Sequence, residues 1–138
     1  MANDFNFNQP IVRVSVMILK DGFVLLGIQK SAEGQVEYVF PTRQLEYMES
    51  FDDCARREVL EKCGLKIKNI NFRFVANITT DEPYHYVYIC LVADWEIGQP
   101  QVLEPEKYES WDWHNLDNLP EPLAEITGLS IENYKKET

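Results

Sequence analysis

A chain of 138 residues and 16.2 kDa suits one domain, burying roughly two thirds of the surface its unfolded form would expose. Thirteen basic against twenty-three acidic residues give a net charge of -10 and a pI near 4.6, which repels a nucleic-acid polymer and requires any anionic ligand to meet a local cation. Apolar runs such as residues 24–26 and 86–93 are far too short to cross a bilayer, and the first ten residues have no basic end leading into an apolar segment, so no membrane association and a cytoplasmic location are expected.

Residues 1–9 are polar with isolated aromatics at Phe5 and Phe7, the pattern of a loose arm. Residues 11–19 (IVRVSVMIL) are nearly continuous and β-branched, Asp21-Gly22 signals a hairpin turn, and residues 23–29 resume as the partner strand. A short strand over 37–40 stops at Pro41. Ser50 is a helix N-cap with Asp53 in a capping-box position, and Gly64 stands just past the last periodic residue, so a helix is expected over 51–63. Its apolar stripe is Phe51, Ala55 and Val59, with Glu58 and Glu61 together on another face. Strands follow over 66–77 and 85–95, joined by TTDEPY, then one over 108–113. The chain closes with Pro122 opening a helix over 122–134. One helix among strands and another at the end define an α/β fold with a mixed sheet covered by helices, in a single domain over 1–138. Cys54, Cys63 and Cys90 are odd in number and lack C-x-x-C spacing, which argues against a disulfide framework and a structural zinc site. They are expected in the core or on a helix.

Carboxylates at i and i+3 converge within several Å, a spacing suited to a divalent cation held through oxygen. Mg²⁺ takes one or two protein carboxylates and completes its shell with water and phosphate oxygens, so Glu58 and Glu61 could suffice. Arg57, four residues before Glu61, can hold it in place. The alternative is a solvated helix face whose ion pairs contribute about 0.2–0.5 kcal/mol each.

The longer pattern narrows this choice. Residues 43–65 resemble the Nudix box, G-x5-E-x7-R-E-U-x-E-E-x-G-U with U a bulky aliphatic, at Glu49, Arg57, Glu58, Val59, Glu61, Gly64 and Leu65. The resemblance extends over residues 11–129, through VEYVFP, YHYVYICLVADW and EPEKYESWDWHNLDNLP. It implies a Nudix-like α/β/α sandwich and Mg²⁺-dependent hydrolysis of a nucleoside triphosphate or another nucleoside diphosphate-linked small molecule, with Mn²⁺ as a substitute metal and a homodimer as a common assembly. It also implies roles: Glu58 and Glu61 as metal ligands, Arg57 as their orienting partner, and Glu49, Glu58 or Glu109 as the base that activates water. Tyr84, His85, Tyr86, Trp111 and Trp113 are candidates for stacking on a nucleobase, or for the core.

Two box positions depart from the pattern. Arg43 replaces the glycine that opens the box, and Lys62 replaces its last glutamate, usually a metal ligand. At ~6 Å from a divalent ion, exchanging carboxylate for ammonium costs about 3 kcal/mol even at the dielectric of water. Lysine's long stem lets it carry the charge into solvent, while Glu49 or a carboxylate between Glu104 and Glu109 could supplement the site. Arg43 and Lys62 could instead bind phosphate themselves. Two outcomes stay open: slowed Mg²⁺-dependent pyrophosphohydrolysis, or a non-catalytic module that binds a nucleotide or a protein.

Overall fold

A computed structural model describes residues 8–30 and 34–137. Of the expected arm over 1–9, residues 1–7 lie outside the described residues. The order is β1 (Ile11–Lys20), β2 (Phe23–Lys30), β3 (Val36–Val39), β4 (Thr42–Gln44), α1 (Phe51–Cys63), β5 (Lys66–Asp81), β6 (Tyr84–Ile97), β7 (Tyr108–Asn115) and α2 (Glu125–Lys136). The seven strands form one mixed sheet in the order β3-β2-β1-β6-β5, with β4 also paired to β1 and β7 to β2. β1 runs parallel to β6 over Ile11↔Tyr86 to Leu19↔Asp94, and antiparallel to β4 and β2.

Strand β1 is apolar along its length because both of its faces are covered. Val14, Val16 and Ile18 pack with Cys54, Ala55, Val59 and Cys63 of α1. Met17, on the opposite face by strand alternation, packs with Phe40 and with Ile131 of α2. The mixed sheet between two helices is the expected α/β/α arrangement. The three cysteines are free and buried, as the sequence implied. No helix among the described residues is long and apolar enough to cross a membrane.

Two sequence expectations need correction. The second helix begins at Glu125, not Pro122: the Pro122 carbonyl accepts from Tyr38 N (2.9 Å) and Ala124 N donates to the Tyr38 carbonyl (3.0 Å), so this stretch is extended beside β3. Phe51 does not belong to the buried stripe, being 39% exposed. The stripe is Cys54, Ala55, Glu58, Val59, Lys62 and Cys63, with two charged residues at core positions. Strand β4, three residues long, is formed by pairing Arg13 with Gln44, Val14 with Arg43 and Ser15 with Thr42, so no local pattern in the sequence marks it.

Candidate functional site

The site is built on β4, the following loop and α1. Helix α1 has its expected bounds because both ends satisfy their own backbone groups. Asp53 N donates to Ser50 Oγ (3.0 Å), and Gly64, at φ 73°, donates its N–H to the Leu60 carbonyl. The loop is tied to the helix by Arg57, whose Nε and Nη2 donate to the two carboxylate oxygens of Glu49 at 2.8 and 3.0 Å. Glu49 also accepts from Glu46 N. The Arg57 guanidinium holds the Glu49 carboxyl down to about 2, against the opposing effect of burial.

The centre of the helix departs from an open acidic cluster. Glu58 is fully buried. Its Oε2 meets Cys54 Sγ at 3.8 Å and its Oε1 has no hydrogen-bond partner. Burial pushes its carboxyl well above the usual range despite Lys62, Arg13, Arg43 and Arg57 nearby. The same burial raises the Cys54 thiol to about 12, reinforced by the Glu58 and Glu49 charges. Lys62 does not swing into solvent. Only 4% exposed, its Nζ donates to Tyr108 Oη at 3.0 Å and to Glu104 Oε1 at 3.3 Å, and stands 4.9 Å from the Tyr108 ring centroid. The loop that carries Glu104 is docked on the end of α1 by Gln101 N to the Cys63 carbonyl (2.9 Å). Burial would raise the Glu104 carboxyl, but Lys62, Lys107 and Arg43 together hold it below its ordinary value.

Arg43 bridges the two arms of the site. Its Nη2 reaches Glu104 Oε2 at 3.2 Å and its Nη1 reaches Glu61 Oε1 at 3.3 Å, where Arg57 Nη1 also approaches at 3.5 Å. Glu61 is therefore half-exposed and held between two arginines while Glu58 is sealed in the core, so the two carboxylates do not share one open face. A divalent ion does not fit these residues. One ligand is sealed in the core, the other is held by guanidinium groups, and Lys62 places an ammonium where the third carboxylate of the box would stand. No group of three or more His, Cys, Asp or Glu side chains suited to a metal occurs among the described residues.

The remaining sequence candidates have other partners. His85 Nε2 is hydrogen-bonded to Asn77 Oδ1. Tyr84 stacks on Tyr86 with centroids 5.6 Å apart. Glu109 pairs with Lys30 at 3.1 Å, so the carboxylate that joins the box from this region is Glu104. Trp111 is core, its ring so close to Gly27 that an added Cβ there would stand 2.6 Å from it.

Two adjoining cavities open beside the box. One, of about 270 Å³, is lined by Arg13, Thr42, Arg43, Lys62, Tyr86 and Lys107 among others. The second, of about 230 Å³, shares Arg13 and Thr42 and continues past Phe40, Tyr88 and Tyr108 to Glu37 and Asp81. Arg13 and Lys107 thus join the site, beside Tyr86 and the Glu104 carboxylate that the sequence offers. Helical spacing could not find Arg13, because strand β1 brings it in beside β6.

A mixed sheet between two helices, with a strand–loop–helix box beside a cleft, defines a Nudix-like α/β/α sandwich. The chain belongs to the NUDIX family: residues 9–134 match the NUDIX domain. Nudix hydrolases act on phosphoanhydride bonds of nucleotide-linked compounds and generally use divalent metal ions. The fold is that of a MutT NUDIX hydrolase from Burkholderia pseudomallei, with a TM-score of 0.83 and 28% identity over 91% of this chain and 98% of that one. The NUDIX domain of Shewanella oneidensis NrtR, solved with ADP ribose, shares the fold at a TM-score of 0.78 and 20% identity, covering 94% of this chain and 88% of that one. Among curated proteins, the NAD-capped RNA hydrolase NudC of Photorhabdus laumondii is 30% identical over 107 residues, covering 78% of this chain. The matched region spans only 40% of that enzyme's length.

Proposed function

We propose that this domain binds a nucleoside diphosphate-linked compound and that Nudix-type metal-dependent turnover has been given up. The observation that carries this reading is the buried Lys62 ammonium, hydrogen-bonded to Glu104 and Tyr108 at the centre of the box. The candidates for catalytic base point the same way. Glu49, held near 2 by Arg57, is a weak base at neutral pH. Glu58 has its carboxyl pushed toward the protonated form and is shut away from water. Glu109 of β7 is paired with Lys30 of β2. On this reading the Glu58 and Glu61 positions hold no Mg²⁺ or Mn²⁺ to position a water, and none of Glu49, Glu58 and Glu109 serves as the base.

The ligand class rests on the family and on the cleft, and is in keeping with ADP ribose bound to the Shewanella domain. Within the cleft, Arg43 and Lys62 present positive charge to the diphosphate, and Tyr88 and Tyr108 present aromatic surface to the rest of the molecule.

The test measures release of nucleoside monophosphate from ADP-ribose, NAD and nucleoside triphosphates, with pyrophosphate as the second product from the triphosphates, in Mg²⁺ or Mn²⁺ and with Glu61→Gln as the blank. The wild type should match the blank while calorimetry detects uptake of one member of the panel. Metal-dependent turnover that Glu61→Gln abolishes would overturn the loss of catalysis, and absence of uptake across the panel would overturn the ligand class.

A further inference from the structure

The cavity lined by Arg13, Arg43, Lys62 and Lys107 runs against the charge of the whole molecule. In a chain of net charge -10, its lining includes these four cations and no carboxylate. The four divide into two pairs. Arg43 and Lys62 are held in place by Glu104 and Glu61, so their positions are fixed but their charge is partly offset. Arg13 and Lys107 have no ion-pair partner among the described residues.

Arg13 is nevertheless oriented. Its guanidinium donates to Tyr88 Oη at 3.4 Å and lies over the Tyr86 ring at 4.9 Å, so an aromatic shelf on β6 fixes it without neutralising it. A guanidinium held this way presents a planar set of donors suited to phosphate oxygens, at little further cost in conformational entropy. Lys107 supplies a mobile point charge from a turn whose backbone is anchored by its N–H to the Glu104 carbonyl at 3.0 Å. An oriented guanidinium and a mobile ammonium, neither in a contact ion pair among the described residues, line one cavity, and an anion would complete that arrangement.

We propose that this cavity is a metal-independent phosphate-binding site, in which Arg13 and Lys107 supply the charge that a divalent ion would otherwise bring to a ligand's phosphate or diphosphate group. Arg43 and Lys62 form its inner wall. Because Arg13 and Thr42 also line the second cavity, the remainder of a phosphorylated ligand would extend from this site toward Tyr88 and Tyr108. The inference deepens the reading of the domain as a binder of diphosphate-bearing compounds and rests on it for the nature of the natural ligand.

The test is calorimetry with inorganic pyrophosphate in EDTA, on wild type, Arg13→Gln, Arg13→Lys and Lys107→Gln, with circular dichroism reporting the fold of each. Pyrophosphate should bind the wild type in EDTA, and Arg13→Gln and Lys107→Gln should each weaken it on the order of tenfold. Arg13→Lys, which keeps the charge, should retain most of the affinity. Pyrophosphate uptake only with Mg²⁺, or folded Arg13→Gln and Lys107→Gln proteins that bind as well as the wild type, would overturn the site. ADP-ribose separates this inference from the broader reading. Binding of ADP-ribose only with Mg²⁺ would defeat the metal-independent site and leave the ligand class standing. Pyrophosphate binding in EDTA with no nucleotide bound under any condition would do the reverse.

Discussion

The frame of the box and its centre have diverged. The frame consists of the Ser50 cap, the Gly64 terminus and the Arg57–Glu49 pair, and each keeps the local role its position implies. The centre, comprising Glu58, Lys62 and Arg43, has exchanged an open acidic surface for side-chain cations partnered inside the protein. The frame sets where the helix starts, stops and meets its loop, so it serves the fold whether or not a metal is bound. The centre serves chemistry, and its charges can change sign provided that buried groups find new partners.

If the centre is now structural, breaking it should cost more than breaking the frame. Lys62→Met should destabilise by about 3 kcal/mol in denaturant unfolding, because it strips the buried partner from Glu104 and leaves Tyr108 Oη without its donor. A loss below that of the cap variant described last would show that Lys62 is only tolerated. Within the frame, Arg57→Ala should cost about 2 kcal/mol by removing two charge-assisted hydrogen bonds. Its pH dependence sharpens the point. The Glu49 carboxyl is lowered from 4.5 to about 2, so the stability it contributes is present above pH 4.5 and is lost as the pH falls toward 2. Arg57→Ala should flatten that part of the acid-unfolding curve.

Glu58→Gln should act in the opposite direction, stabilising the protein by on the order of 1–2 kcal/mol at pH 8 and less at pH 5. A buried acid whose folded pKa is raised retains its proton while the unfolded chain releases it, so the native state loses ground as pH rises above 4.5. Equal thermal shifts at both pH values would show that Glu58 is ionised in the fold and supported by its four basic neighbours. Ser50→Ala is the smallest effect, about 1 kcal/mol from one lost cap hydrogen bond.

Legibility in the sequence followed the same division. Helix α1 could be bounded to the residue because Ser50 and Gly64 act on backbone groups three or four positions away. The start of α2 could not, because the pairing that keeps Pro122 and Ala124 extended comes from Tyr38, far away in the chain. Lys62 and Arg43 stood out as departures from the box pattern, yet their destinations did not. Helical periodicity treats a charged residue as a surface residue, whereas α1 buries both Glu58 and Lys62.

The sequence by itself determined the strand–loop–helix box, the family, and the presence of two positive charges at positions that elsewhere serve a metal, since all three are written in spacings within a few turns of chain. Only the tertiary structure decided what those charges do. Lys62 finds Glu104 across 42 positions and Arg43 finds it across 61, while β1 and β6 bring Arg13 against Tyr86 and Tyr88. Burial and partnership of an ionic group depend on which strand and loop the fold lays against it, a relation no local pattern encodes.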